Sequence, residues 1–394
     1  MSCSVVLCIL VSMMLITLFW QDDLNAALHL RQYNNVLVDV SSDSKVVVHY
    51  VDVGQGDAII IRMSDGKTVL IDTGPASSAH ILIDYIQANL GSKVGFEYFD
   101  YIVISTALHN RVGGLPYLAR YISSDTTIFR PNVAAINPND PSYIDPGLWQ
   151  LETNSFITHS SASYRQALRT MYMSQATIIV NSNTAHFVIS NDTNVQTILS
   201  IVPFGDRRLL GSDFVTGNSS PIILLEYGVN RWIFSGAANS VVERMFVDVY
   251  KPIYGNSIDA KVILLGNNGA NSAMSREFLD FLIDPIDASQ VVVILSMSVH
   301  NSHTHPNRDM LQRVYDSGVL QHNIKSTAFL GHIVVYANAH DNIATVTISH
   351  TGYNNSRPYW IWWHEIVLIV TVGTMIAFGV CTLCLIRRVK LLEL

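Results

Sequence analysis

The strings YVDVGQGDA at residues 50–58 and LIDTG at residues 70–74 carry the strongest structural signal in this sequence. Each runs from a β-branched, apolar segment into a short stretch of Gly, Asp or Thr, which is typical of a strand that ends in a tight loop. Gly54 and Gly56 allow a positive φ or a close backbone approach in the first loop. Asp72 stands at a strand end and is predicted to accept backbone N–H hydrogen bonds there. The two strings predict a hairpin region with polar loops.

The middle of the chain continues this alternation of short strands and helices. Apolar residues recur at helical spacing in residues 80–90, for example, and β-branched runs mark the strands. Further strands are predicted at 101–105, 176–180, 198–202, 222–227, 231–234, 262–265 and 291–295, and further helices at 114–121, 163–174, 241–250, 275–283 and 308–317. The proline-rich residues 126–150 are predicted to be an irregular surface excursion. Groups of strands with helices between them indicate an α/β protein with packed αββα layers.

Several later strings extend the two opening ones in a fixed order. They are YIVIS at 101–105, VGGL at 112–115, NSSPIILLEYG at 218–228, IFSGAA at 233–238 and KVILLGNNG at 261–269, followed by His305-Pro306 before a helix. Over about residues 45–340 this series resembles the metallo-β-lactamase domain of ComEC-like competence proteins. The resemblance implies an αββα metallo-β-lactamase-like sandwich. Its fold-motif residues here are Asp52, Gly54, Gly56, Asp57, Asp72, Gly74, Gly113, Gly114 and His305.

The same resemblance implies a place for a metal centre. The family binds two divalent ions through a His-x-His-x-Asp-His loop, a bridging Asp and a later His-His pair, and the ions lower the pKa of a bridging water. The corresponding positions here are Thr106, Leu108, Asn110, Arg111, Ala237, Asn267 and Asn268. None is a carboxylate, imidazole or thiolate, and Arg111 would place a fixed positive charge beside any cation. These departures predict a domain with no metal, no cofactor and no catalytic residues.

Nearby histidines leave an alternative open. His109 adjoins two of the ligand positions, and His300, His303 and His305 cluster downstream. With one carboxylate they could rebuild a metal site, and the domain would then be an active, phosphodiesterase-like hydrolase with relocated ligands. The competing interpretation is a loop of solvated histidines, with His305 as a hydrogen-bonded fold residue.

If the site is lost, the domain is a pseudo-hydrolase kept for its fold. It would then bind a partner protein, a glycan or an anion, or serve as a purely architectural membrane glycoprotein. An anion could be met by hydrogen bonds from Arg111, Thr106, Asn267 and Asn268. Equally, these side chains could satisfy one another.

The composition of the chain argues against some classes of partner and site. The chain has 24 Lys and Arg against 31 Asp and Glu, a net charge of −7, and no basic run, so no nucleic-acid partner is expected. Its four cysteines are Cys3, Cys8, Cys381 and Cys384. The middle of the chain therefore has neither a disulfide framework nor a thiolate zinc site.

Both ends of the chain indicate a membrane. Residues 1–27 are predicted to be a signal peptide or an uncleaved anchor, and residues 28–44 a linker. Residues 366–386 are uncharged, long enough at about 1.5 Å per residue to span a bilayer, and flanked by aromatic residues before and by Arg387, Arg388 and Lys390 after. With a cleaved signal peptide this predicts a single-pass, type I membrane protein, which is the favoured topology, and with an uncleaved anchor it predicts a two-span hairpin. Both place the middle of the chain outside the cytosol.

In that topology residues 45–345 form an extracellular or luminal ectodomain, residues 346–365 a juxtamembrane stalk and residues 387–394 a cytosolic tail. Asn191, Asn218 and Asn354 begin N-glycosylation sequons, which would suit such an ectodomain.

Overall fold

The computed structural model of the chain describes residues 45–90, 96–131, 162–181, 184–192, 195–202, 220–298, 301, 304–340 and 345–348. These residues belong to one compact unit, Asn34–Thr351. The predicted signal or anchor, linker, membrane span and cytosolic tail lie outside the described residues, as does nearly all of the predicted stalk. Among the described residues, no helix has both the length and the apolar character needed to cross a membrane.

Two β-sheets form the centre of the described unit. Their strands, in chain order, are β1 Lys45–Tyr50, β2 Ile59–Arg62, β3 Thr68–Ile71, β4 Tyr101–Val103, β5 Thr127–Pro131, β6 Thr177–Asn181, β7 Ala185–Asp192, β8 Val195–Val202, β9 Ile222–Tyr227, β10 Asn230–Phe234, β11 Val262–Leu264, β12 Val292–Leu295, β13 Ile324–Ser326, β14 Ile333–Asn338 and β15 Thr345–Ile348. The first sheet has the order β15-β14-β1-β2-β3-β4-β5-β6, and the second has the order β13-β12-β11-β10-β9-β8-β7.

Strand direction changes within each sheet. In the first sheet β14, β1, β2 and β3 are antiparallel neighbours, whereas β3 to β6 run parallel. In the second sheet β7 to β10 are antiparallel and β10 to β13 parallel. Parallel strands point their carboxyl ends to one edge of a sheet, and that edge is where ligands bind in open α/β sheets.

The α-helices lie in two groups. They are α1 Ala79–Asn89, α2 His109–Val112, α3 Ala162–Met173, α4 Ser240–Tyr254, α5 Arg276–Leu282, α6 Arg308–Asp316 and α7 Thr327–Leu330. A 3-10 segment, Leu115–Tyr121, contacts both α1 and α3, and Tyr85 of α1 meets His49 of β1 with ring centroids 5.7 Å apart. In the other group α4 contacts β9 and α5, and α5 contacts α6. Helices thus cover both sheets, which confirms the αββα layers expected from the sequence.

The main core lies between the two sheets. Alternate residues of β1, such as Val46, Val48 and Tyr50, are buried there with Trp232 and Phe234 of β10. Tyr50 and Phe234 have ring centroids 6.2 Å apart. Successive side chains on a strand point to opposite faces of the sheet. Val47 and His49, on the other face of β1, are also buried, so this strand is covered on both faces.

One prediction about the fold is wrong in part. The start of the proline-rich excursion at residues 126–150 is a strand, β5, which pairs in parallel with β4 and β6. Its Ile128 and Phe129 are buried. Pro131 occupies the last position of the strand, where a missing N–H is tolerated more readily than in the middle. Strands β7, β13, β14 and β15 were not predicted.

Candidate functional site

The loops that follow β1 and β3 in the first sheet and β10, β11 and β12 in the second meet at one edge of the sandwich. The loop after β1 contacts the loop after β3, since Gly74 N–H donates to Asp57 O at 2.8 Å. The loops after β10 and β11 are joined by Asn267 N–H to Gly236 O at 2.7 Å. The loop after β12 reaches back through Ser296 Oγ, which donates to Gly56 O at 2.7 Å. These loops, here called the site edge, contain almost all the positions that the resemblance implied.

Asp72 joins the ends of β3 and β4. It is fully buried with a φ of 57° and accepts hydrogen bonds from Ser105 N–H at 2.7 Å and Ser105 Oγ at 2.5 Å. Burial raises the pKa of Asp72 to about 7, although both hydrogen bonds from Ser105 favour the ionised form. Asp72 therefore acts as a tie between two strand ends, away from solvent.

Arg111 is the central residue of the site edge. Its guanidinium forms an ion pair with the Asp57 carboxylate, and both side chains are 0–2% exposed. Its Nη2 also donates to Gly236 O at 3.3 Å and to Asn268 Oδ1 at 3.2 Å. Burial lowers the pKa of Arg111 to about 9, which still leaves the guanidinium charged at neutral pH. One cation thus contacts oxygens from three different loops.

The turn Gly266–Gly269 directs Asn268 toward this cation. Asn267 and Asn268 have φ values of 48° and 53°, a left-handed conformation that asparagine tolerates better than most residues. Asn268 is buried; its Nδ2 donates to Ser296 O at 2.5 Å and lies 3.5 Å from Asp57 Oδ1. Its amide therefore places an oxygen against the guanidinium and a nitrogen against the acceptors.

The other positions of the implied metal loop differ in exposure. Thr106 and Ala237 are buried, whereas Leu108, Asn110 and Asn267 are half-buried. Leu108 precedes α2, and its carbonyl accepts from Arg111 N–H at 3.0 Å. Ala237 N–H donates to Ser220 Oγ at 2.9 Å.

The structure thus gathers Arg111, Asn268 and the Gly236–Ala237 backbone in one buried cluster. Asn267 lies beside that cluster, bound through its backbone to Gly236.

These side chains do not fit a divalent metal centre. The position at the middle of the cluster is taken by a guanidinium, and the groups around it are arranged as acceptors for its N–H donors. Within the described ranges, no three His, Cys, Asp or Glu side chains are grouped so as to hold a metal ion. His109 is exposed and His305 half-buried, and His300 and His303 lie outside those ranges.

The rim of the site edge depends on residues that the sequence did not single out. Gln55 Oε1 accepts from Ser298 N–H at 3.1 Å, and its Nε2 lies 3.4 Å from His305 Nδ1. Asn301 brackets His305, accepting from its N–H and donating to its C=O, both at 2.8 Å. Gln55 was within the opening motif, but the motif was interpreted as a glycine turn rather than by its side chain.

The remaining motif residues hold the loops in place. Asp52 Oδ1 accepts from Gly54 N–H at 3.2 Å, and Asp52 N–H donates to His332 Nδ1 at 3.0 Å. Gly113 and Gly114 donate to His109 O and Gly74 O, each at 3.0 Å. Among the sequons, Asn191 lies in β7, and Asn218 and Asn354 lie outside the described residues.

No family model matches this chain, and no curated protein matches it. Among solved structures, it is similar to CmlA, a diiron β-hydroxylase from Streptomyces venezuelae, at 11% identity and a TM-score of 0.40, covering 78% of this chain and 55% of that one. A Cronobacter sakazakii metallo-β-lactamase matches at 11% identity and a TM-score of 0.34, covering 69% and 88% of the two chains. Zn²⁺-bound PqqB from Methylobacterium extorquens matches at 10% identity and a TM-score of 0.35, covering 69% and 96%.

The chain spans about half the length of the CmlA chains it matches. At these identities and TM-scores the three similarities assign no activity, substrate or family branch to this protein. The chain's own strands and helices define it as a two-sheet αββα sandwich.

Proposed function

We propose that this chain is a membrane-anchored, non-cytosolic protein whose metallo-β-lactamase-like domain, residues 45–345, is a non-catalytic binding or structural ectodomain. The observation that carries the proposal is the buried ion pair between Arg111 and Asp57. It stands at the position where the resemblance to ComEC-like proteins implies metal ligands.

The chemistry of hydrolysis in this fold explains why the pair matters. Metal hydrolases need imidazole and carboxylate ligands that hold an ion and leave it an open position for water. A guanidinium offers only N–H hydrogen-bond donors and cannot coordinate water as a Lewis acid, so it cannot lower the pKa of a bound water as a metal ion does. Because Arg111 is charged and enclosed, it also opposes the entry of a second cation.

The ligand that suits this site is neutral and polar. Arg111 is compensated by Asp57 and is not exposed, so it does not serve an anion. The rim instead presents the half-buried side chains of Gln55, Asn110, Asn267 and His305. Amide and imidazole groups hydrogen-bond peptide groups and sugar hydroxyls alike. We therefore favour a partner protein or a glycan over an anion.

Metal content tests the loss of catalysis. The purified ectodomain is expected to contain substoichiometric zinc, manganese and iron, to melt at the same temperature with and without chelator, and to leave phosphodiesters and β-lactams intact. Bound metal would raise the melting temperature by mass action. One mole of metal per mole of protein, lost on His109→Ala or His305→Ala, would overturn the loss of the site and make the hydrolase with relocated ligands the leading hypothesis.

Membrane topology is tested separately. In sealed vesicles that enclose the non-cytosolic side, residues 45–345 should resist protease added outside, while a tag placed after residue 394 should be cleaved. Moving the basic residues Arg387, Arg388 and Lys390 to the other flank should disturb this orientation. Digestion of the domain from the cytosolic side would rule out the proposed anchoring.

Ligand binding needs its own control. Rim variants Asn267→Ala and Gln55→Ala should reduce capture of a glycan array component or a partner protein by the intact ectodomain. The variant Glu277→Ala, at an exposed position of α5, should not. Equal capture by all three variants would favour the architectural role.

A further inference from the structure

The Arg111 guanidinium connects loops of both sheets. Asp57 precedes β2 in the first sheet, whereas Gly236 follows β10 and Asn268 follows β11 in the second. The backbone carbonyl of Arg111 also accepts from Thr73 N–H at 2.6 Å and Thr73 Oγ1 at 3.0 Å, just after β3. The residue therefore touches four strand-end loops at once.

Each of the three groups that the Arg111 guanidinium contacts presents an oxygen to it. One is a carboxylate, one a peptide carbonyl and one a side-chain amide oxygen, a donor set that would also suit a hard cation. A guanidinium meets such a set with directed N–H donors and carries a permanent charge. The surrounding side chains are arranged for a positive charge at this point.

We propose that Arg111 is the resident cation of the site, a covalently attached replacement for metal ions that ties the strand-end loops of the two sheets together. The inference deepens the proposed loss of catalysis and rests on it for the comparison with a metal centre. It gives the ion pair a structural role: the fold still requires a cation at this place, although it no longer uses one for hydrolysis. A cation supplied by the chain cannot be removed by a chelator or diluted away.

This role predicts strong energetic coupling between Arg111 and Asp57. Removing one partner leaves the other charge buried and unpaired, which is among the most destabilising changes known in protein interiors. Removing both leaves a neutral site of nearly the same volume. The double variant should therefore raise the unfolded-to-folded ratio by a much smaller factor than the product of the two single-variant factors.

The experiment is a double-mutant cycle on the ectodomain by denaturant unfolding, with Arg111→Met, Asp57→Asn and the double variant. Each single change should raise the unfolded-to-folded ratio by at least ~100-fold, with a clearly smaller combined effect than the product. If Arg111→Met does not fold, Arg111→Lys with Asp57→Asn gives a second cycle that retains one charged partner. Arg111→Lys alone should recover part of the loss, because it keeps the charge but fewer contacts.

The exposed pair of Arg276 and Asp280, 2.9 Å apart with side chains 53% and 55% exposed, provides the matched control. The corresponding cycle with Arg276→Met and Asp280→Asn should show a coupling of only about two-fold. If the Arg111 and Asp57 effects multiply independently, as in this control, the inference is overturned while the proposed function stands. If wild-type protein carries stoichiometric metal, the proposed function itself fails, and the cycle still reports whether Arg111 and Asp57 are coupled.

Discussion

Gly56 packs so closely against α2 that no side chain fits on it. A Cβ at this position would lie 2.2 Å from Asn110 O and 3.0 Å from Pro75 Cδ. The nearest obstacle is a backbone atom, which cannot rotate away. The loop after β1 can therefore hold Asp57 beside Arg111 only if residue 56 is glycine.

We expect Gly56→Ala to lower the free energy of unfolding by more than about 2 kcal/mol, because overpacking forces the backbone to move. Gly266→Ala is the matched control. It lies at the same site edge, and its Cβ would come no closer than 3.1 Å to Ala273 Cβ, 3.3 Å to Ser235 Cβ and 3.4 Å to Ala238 O. Its loss should be smaller, about 1 kcal/mol. Denaturant unfolding of both variants decides the matter, and equal losses would show that the contact with Asn110 does not matter.

A second residue-scale feature is a buried group of two histidines and a tyrosine. His49 Nδ1 lies 2.8 Å from Tyr85 OH, and the Tyr85 ring is 4.4 Å from the His332 ring. Burial lowers the pKa of His49 and of His332 to about 3; Arg62 adds to the shift at His49, and His49 adds to that at His332. Both imidazoles are neutral in the folded protein.

The sign of the pH effect follows from these shifts. As pH falls below about 6.5, the unfolded chain binds protons that the folded chain refuses, so stability falls toward the folded pKa near 3. Asp72 acts in the opposite direction: with its pKa raised to about 7, its contribution to stability falls as pH rises from 3.8 to 7. The net slope between pH 5 and 7 is therefore a difference of opposing effects.

His49→Phe isolates the histidine contribution. Going from pH 7 to pH 5, this variant should lose roughly 1–2 kcal/mol less stability than the wild type, because one buried imidazole no longer resists protonation. Tyr85→Phe removes the hydroxyl but keeps both imidazoles, so it should lower stability by a similar amount at both pH values. An unchanged pH dependence in His49→Phe would contradict the assignment.

Among the elements, α5 depends on a carboxylate from another helix. Its N-cap residue, Ser275, makes no side-chain capping hydrogen bond. Instead, buried Glu243 of α4 accepts from Met274 N–H and from Ser275 N–H, the latter at 2.8 Å. Burial raises the pKa of Glu243, opposed by these hydrogen bonds and by Arg313. The two helices are thus joined through the orphan donors at the start of α5.

Glu243→Gln should cost about 2 kcal/mol, since an amide NH₂ would face backbone N–H donors in a buried place. Glu277→Gln is the control on the same pair of helices. Glu277 meets Arg244 at 3.6 Å, with side chains 58% and 70% exposed, and such pairs are worth about 0–1 kcal/mol. Unfolding midpoints of both variants provide the measurement. A smaller loss in Glu243→Gln than in Glu277→Gln would show that α5 does not need this cap.

The elements also show what the sequence could reveal. Strand β9 was predicted with the observed bounds, because a dense apolar run between turn residues gives an unambiguous pattern. Strand β5 was missed because its nearby prolines outweighed its short apolar run. The three-residue β13 is too short to show any period.

At the site, the sequence indicated which residues stand together but not how they pair. Arg111 was identified as incompatible with a metal, and Asp57 as a fold residue. A buried arginine needs a buried acceptor, and that requirement would have directed attention to Asp57 or Asp72. Which of the two aspartates pairs with Arg111 depends on the path of the loop after β1, and only the three-dimensional structure shows that path. The left-handed conformation of Asn267 and Asn268 likewise could not be predicted from their residue types.

At the scale of the whole molecule, the C-terminal strands complete the N-terminal sheet. Strand β14 pairs with β1 along its full length, from Lys45 opposite Asn338 to Tyr50 opposite Ile333. The core between the sheets draws on β1 to β3 as well as on β9 to β12 and β14. Neither half of the chain can bury its apolar strand faces alone, so the described unit should unfold in one step.

Val335→Ala tests this cooperativity, because Val335 is fully buried in β14 opposite Val48 and belongs to the inter-sheet core. Removing buried methyl groups should cost about 1–2 kcal/mol. In native-state hydrogen exchange, the slowest amides of β4 in the first sheet and of β11 in the second should lose protection by the same factor, since both report global unfolding. Val346→Ala in edge strand β15, where the side chain is only partly buried, should give a smaller and equally shared loss. If β4 lost protection while β11 kept it, the sheets would unfold separately, and the single-unit interpretation would be wrong.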